Sequence, residues 1–189
     1  MILHPASRSR RIGLSGLSHG DRLASALGRR LDDEHHWFRS VLAGGADPLD
    51  AVLVGPGGTY AITLGGERGR FMRRNTGHWY RWNRSTESWV PWDPAPITHA
   101  RLAGRRLSLY LDRAALPSDV TPILLAPDHM SVEAAAGDQI GVAIEHDPDR
   151  VAALATREER LSPAQVDRIV ALLDPRQPLP RLAQATRGG

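Results

Sequence analysis

Between Leu49 and Trp82, apolar stretches alternate with glycine-rich breaks at short intervals. Leu49 to Val54 is apolar and β-branched, and Gly55-Pro56-Gly57-Gly58 follows it. Proline presets φ and glycine permits positive φ, so this tetrapeptide predicts a tight turn into a return strand, Thr59 to Leu64. Gly65-Gly66 predicts a second turn into Gly69 to Arg74, and Asn75-Thr76-Gly77 a third into His78 to Trp82. Strands joined this closely are antiparallel neighbours, so the stretch reads as two successive β-hairpins.

Helical spacing flanks the hairpins. Leu23, Leu27 and Leu31, with Ala24, predict an amphipathic helix over 19–32, with Ser18 as N-cap and Asp21 in the first turn. A short strand follows near 37–42. Residues 85–96 carry Trp89, Trp92 and three prolines and read as a loop pinned by aromatics. Ala100, Ala103, Leu107 and Leu111 predict a second helix over 97–113, in which Gly104 suits close packing. Thr121 to Leu125 reads as a buried strand and Gly141 to Ile144 as another, a strand–helix–strand order that suggests a crossover onto the same sheet. Asp147-Pro148 opens a short helix to about 154, and Ser162-Pro163 opens the last one, 164–173. The sum is an α/β domain over 18–174, a mixed central sheet with two antiparallel hairpins flanked by helices. Residues 1–17, with Arg8, Arg10 and Arg11, and residues 175–189 read as flexible tails.

Composition narrows the chemistry. The chain has 189 residues, 41% of them hydrophobic, enough for one domain with a real core. No apolar run approaches the ~20 residues of a membrane span, and the N-terminal stretch lacks the apolar segment of a secretory signal. Cysteine is absent, which excludes disulfides, thiolate nucleophiles and Cys-ligated zinc and fits a cytoplasmic, reducing setting. All 24 basic residues are arginine, and the net charge is +3. A GC-rich genome produces such a bias, and so does selection for bidentate phosphate contacts. Either way, no mechanism that needs a lysine ammonium operates here.

Arg68, Arg70, Arg73, Arg74, Arg81 and Arg84 interleave with Phe71, Trp79, Tyr80 and Trp82. Cations beside rings suit nucleic acid, because cations meet phosphates while rings stack on bases. The competing reading is an amphipathic hairpin with Phe71, Trp79 and Trp82 in the core. Strand alternation places Arg70, Met72 and Arg74 on one face, and Phe71 and Arg73 on the other. Arg101 and Arg105 extend the basic set onto the second helix. His35-His36 with Asp32, Asp33 and Glu34 reads as an exposed polar turn rather than a metal site, since adjacent histidines point apart. Neither a P-loop nor a Gly-x-Ser-x-Gly elbow is present.

Taken in order, Leu49-Asp50-Ala51-Val52-Leu53-Val54, Gly55-Pro56-Gly57-Gly58, Gly77-His78-Trp79 and Pro96-Ile97-Thr98-His99-Ala100 resemble the motifs of the nuclease-related domain (NERD) family. The resemblance covers roughly 20–173 and implies a restriction-endonuclease-like fold. Such nucleases hold Mg²⁺ with a helix acid, a strand Asp and an acid-x-Lys pair, carboxylates binding the ion while lysine assists the attacking water. The resemblance places the strand Asp on Asp50, the second acid on Thr63 and the lysine on Gly65. The helix acid falls on Asp21, or more loosely on Asp32 or Glu34. The acid-x-Lys pair is therefore lost. The chain is expected to be a pseudoenzyme without cofactor that binds nucleic acid or serves as a scaffold. Two alternatives stay open: a Mg²⁺-dependent nuclease using Asp21, Asp50 and Glu67, with Asp50 and Glu67 on the metal, and a protein-interaction subunit whose Trp89–Trp92 loop docks on a partner.

Overall fold

The computed structural model describes residues 1–4, 19–134 and 140–174; for residues 19–21 it describes the backbone only. The elements run β1 (Ile2–Leu3), α1 (His19–Gly28), β2 (His36–Val41), β3 (Leu49–Gly55), β4 (Gly58–Leu64), β5 (Gly69–Arg73), β6 (Trp79–Asn83), β7 (Ser88–Pro91), α2 (Ala95–Arg113), β8 (Val120–Leu125), β9 (Met130–Ala134), β10 (Ala143–Glu145), α3 (Pro148–Ala155) and α4 (Pro163–Leu173).

The apolar run of β3 is explained by burial on both of its faces. Ala51 and Leu53 point to one side, where they meet Leu23 and Leu27 of α1, Trp37 of β2 and Val151 of α3. Val52 and Val54 point to the other, against Leu107 and Leu111 of α2 and Val166 and Ile169 of α4. The result is three layers, with α1 and α3 on one face of the sheet and α2 and α4 on the other. The sheet has six strands in the order β1-β2-β3-β4-β8-β10. Strands β2, β3 and β4 are antiparallel neighbours, while β8 runs parallel to β4 and β10 parallel to β8. The crossover expected from strand, helix and strand is therefore present, with α2 between β4 and β8. Helix ends follow their caps: the Asp147 carboxylate accepts the Asp149 N–H at 2.9 Å, and the Gln165 Oε1 accepts the Ser162 N–H at 2.9 Å.

The expectation of one sheet carrying both hairpins is corrected. The first hairpin, β3–β4, belongs to the six-stranded sheet, but β5, β6 and β7 belong to a separate four-stranded sheet ordered β7-β6-β5-β9. The place beside β4 is already filled by β8, so the second hairpin has no edge of that sheet to join. Gly65-Gly66 is the exit between the sheets rather than a hairpin turn. Gly66 adopts φ +128°, and a Cβ there would stand 2.9 Å from both Met130 Sδ and Pro127 Cδ. The inner face of the second sheet packs Phe71 against Ile97, Ala100, Leu124 and Met130.

Four further boundaries differ from the sequence reading. Residues 1–4, expected as part of a tail, include β1, which pairs in parallel with β2. The first helix ends at Gly28, four residues early, because the chain turns there toward β2. Ser88–Pro91 of the expected loop is a strand, with Trp89 opposite Trp82. Strand β9 is absent from the sequence reading, although Met130, Ser131, Val132 and Glu133 alternate as a short half-buried strand does. The remainder of the expected N-terminal tail, its basic residues, the Ser18 cap and residues 175–189 lie outside the described residues. No described helix is long and apolar enough to cross a membrane.

Candidate functional site

Three groups of residues singled out by the sequence occupy three different places. The first is a groove of about 680 Å³ between α2 and the β3–β4 pair. The register that sets Ala51 opposite Ile62 puts Asp50 opposite Thr63, both on the α2 side of the sheet. Asp50, Thr63 and His99 line this groove together with Asp47, Arg105 and Arg106. Asp50 Oδ2 accepts the Leu64 N–H at 2.9 Å, and Thr63 across the ladder offers only a neutral hydroxyl. Gly65 has no side chain to offer, and its N–H donates to the Leu125 carbonyl at 3.2 Å.

The alternative set of Asp21, Asp50 and Glu67 is not brought together. Asp21 lies in α1, on the opposite side of the sheet from Asp50, and its side chain is outside the described residues. Glu67 belongs to the second sheet's surroundings: it accepts from Trp92 Nε1 at 3.4 Å and pairs with Arg81 at 3.5 Å. Among the described residues, no three His, Asp or Glu side chains are placed to hold a metal ion.

The second place is the four-stranded sheet. Its inner face carries Phe71, fully buried, with Trp79 and Trp92 packed beside it. Its outer face carries Arg70, Met72, Tyr80, Trp82 and Trp89, as alternation and the pairings of Met72 with Tyr80 and Trp82 with Trp89 require. Trp82 is therefore not a core residue. Its ring meets Trp89 edge-on at 5.4 Å, and the Arg70 guanidinium stands 5.8 Å from each ring. Arg74 lies 4.5 Å from the centre of Tyr80. At the end of the β5–β6 hairpin, Arg68, Arg70, Arg81, Arg84, Trp82 and His129 line a cleft of about 640 Å³ with no carboxylate in its wall. Two of these arginines have ion partners nearby, Arg70 with Glu133 at 3.2 Å and Arg81 with Glu67. Both pairs are about half exposed and so bind weakly. Arg68 and Arg84 are exposed. Arg73 points to the other face from Arg70 and Arg74, and Arg101 is exposed on α2. Arg105 belongs to the Asp50 groove, not to the cleft. Sequence reasoning missed Glu133 and His129, because the strand and turn that bring them to the hairpin are far along the chain.

The third place corrects the expected polar turn. His35 is buried, and its Nδ1 shares a 2.7 Å hydrogen bond with Asp32 Oδ1, which holds the Asp32 carboxyl below its ordinary pKa. His36 shares a 3.1 Å hydrogen bond with His4, whose ring stacks on Phe38. Burial, with His35 adding and Asp167 opposing, depresses the His36 pKa below the ordinary 6.5. A depressed histidine takes its proton more readily in the unfolded chain. Stability from this group is therefore full above about 6.5, declines as pH falls below it, and is lost once pH passes the lowered folded value. The Asp32 contribution is lost only lower, in the carboxylate range. The unfolding midpoint is expected to fall between neutral pH and about pH 5, and His36→Gln to flatten part of that fall. An unchanged slope in urea titrations would assign the loss to other groups.

Comparison of the chain with protein-family models, curated proteins and solved structures gives no match.

Proposed function

We propose that this chain is a nucleic-acid-binding module, a nuclease-related domain whose cleavage machinery has been lost and which acts in the cytoplasm without a metal cofactor. The observation that carries the reading is the arginine-lined cleft at the end of the β5–β6 hairpin, whose wall holds Arg68, Arg70, Arg81 and Arg84 together with Trp82. Phosphates are bound there by charge, with little reading of sequence. The loss of chemistry rests on Thr63 and Gly65, which leave Asp50 without a second acid or a cation of the lysine kind. Binding through these arginines also serves a scaffold in a larger nucleic-acid assembly.

The test is fluorescence anisotropy with a labelled DNA duplex at low and at physiological salt. About three phosphate contacts predict a loss of roughly forty-fold for a fourfold rise in salt. Arg84→Ala should weaken binding to any sequence and reduce the salt slope by about one. Absence of binding at low salt would overturn the reading and leave a protein-interaction role for the Trp89–Trp92 region.

A further inference from the structure

We infer that the second sheet prefers single-stranded to double-stranded nucleic acid, with a base stacked on Trp82 and the flanking phosphates in the cleft of Arg68, Arg70 and Arg84. This rests on the nucleic-acid reading above and narrows it to a substrate class.

The argument begins with where the rings stand. Residues of one strand alternate, so Tyr80 and Trp82 share the outer face of β6 and stand about 7 Å apart along it. Cross-strand pairing adds Trp89 beside Trp82. All three rings are partly exposed, and none belongs to the core that holds Phe71 and Trp79. A sheet needs only its inner face for packing, and that face is already occupied. Three aromatic rings on the outer face therefore serve no core of the described fold.

A ring face binds a base only if the base face is free. In a duplex, bases along one strand stack about 3.4 Å apart and offer their edges, not their faces, to a protein. Rings about 7 Å apart match a strand whose bases have been drawn apart. Stacking of an unpaired base on an aromatic ring is worth ~1–3 kcal/mol and tolerates every base. Arg74 lies closer over Tyr80, at 4.5 Å, than Arg70 over Trp82, at 5.8 Å, so Trp82, on the wall of the cleft, is the first stacking platform.

Charge supplies the second half. Trp82 lines the cleft of about 640 Å³ together with Arg68, Arg70 and Arg84, so cations and ring share one concave wall. Arg70 stands over both Trp82 and Trp89, 5.8 Å from each, so a phosphate next to a stacked base lies within its reach. Glu133 competes for Arg70 through an exposed pair that an incoming phosphate displaces.

The experiment measures anisotropy of a labelled oligodeoxythymidylate, alone and annealed to oligodeoxyadenylate, with the full chain at low salt. The single strand is expected to bind at least tenfold more tightly than the duplex and to quench tryptophan fluorescence. Trp82→Ala should weaken single-strand binding about tenfold with little effect on the duplex. Glu133→Gln should strengthen binding of both a few-fold. If Trp82→Ala does not fold by circular dichroism, Trp82→Phe, which keeps a ring of lower stacking area, should give an intermediate loss. Equal or tighter duplex binding, or equal effects of Trp82 substitution on both probes, overturns the single-strand inference and leaves the nucleic-acid reading standing. Binding to neither probe overturns both.

Discussion

Phe71→Ala is expected to destabilise the protein by about 3–5 kcal/mol, the cost of removing a large buried aromatic, and to abolish nucleic-acid binding with it. Phe71 is completely buried on the inner face of the second sheet, against Ile97 and Ala100 of α2, Leu124 at the end of β8, and Met130. Its ring also lies 4.2 Å from that of Trp92. The two sheets share no strand ladder, so this small cluster holds one to the other together with the chain crossings at Gly65–Gly66, from β7 into α2 and from β8 into β9. The Arg81 guanidinium rests 5.9 Å from the Phe71 ring, which ties the cleft wall to the same side chain. Removing the ring leaves a cavity under β5 and β6 and frees the platform on which Trp82 and Arg70 are mounted. Urea unfolding should show the loss in midpoint, and anisotropy the loss of binding. Arg84→Ala is the contrast, since it lies on the surface and should lose binding with stability unchanged within about 0.5 kcal/mol. If Phe71→Ala kept both full stability and full binding, the second sheet would have to be anchored elsewhere.

The first hairpin was legible in the sequence because its signals agree. An apolar run buried on both faces, a Gly-Pro-Gly-Gly turn and a second apolar run admit one arrangement. The helices were legible for the same reason: leucine and alanine stripes mark α1 and α2, and Asp147-Pro148 and Ser162-Pro163 open α3 and α4. The division into two sheets was not. Gly65-Gly66 signals a turn without saying which edge the chain turns toward, and the edge of β4 was claimed by β8, some sixty residues later. The site shows the same split. Alternation within β5 correctly separated Arg70, Met72 and Arg74 from Phe71 and Arg73, because alternation is local. The side of Trp82 needed the pairing with Trp89, and the partner of Arg70 needed β9. His35 was misread for a related reason: its neighbours Asp32, Asp33 and Glu34 are polar, yet its ring is packed against Gly55 across the sheet. Asp50, Thr63 and His99 line one groove because the register sets Asp50 opposite Thr63 and α2 lies over that face, a proximity that no local pattern encodes.

Gly57→Ala is expected to cost about 3 kcal/mol or more, although alanine suits most backbone conformations and the change adds one methyl. The reason is what the methyl meets. A Cβ on Gly57 would collide with the Ala155 carbonyl oxygen and stand 2.7 Å from its carbon. That obstacle is backbone at the end of α3, so it cannot rotate aside as a flexible side chain would. Nor can α3 withdraw easily. The Tyr60 hydroxyl lies 2.8 Å from the Gly57 carbonyl and 2.9 Å from that of Leu154, bridging the turn to the helix end. The Pro56 carbonyl accepts the N–H groups of Arg160 and Leu161 at 2.8 and 3.0 Å, fixing the segment that leads into α4. The methyl must therefore break some of these bonds or distort the hairpin that centres the sheet. Gly28→Ala is the control. A Cβ there meets only Met1 Cε at 3.8 Å, an ordinary contact, so its effect should stay within about 0.5 kcal/mol. Urea midpoints of the two variants, compared with the parent, decide the matter. A loss below about 1 kcal/mol for Gly57→Ala would show that the end of α3 yields. A large loss would place the glycine-rich turn among packing devices, its glycines needed because a helix end rests directly on the chain.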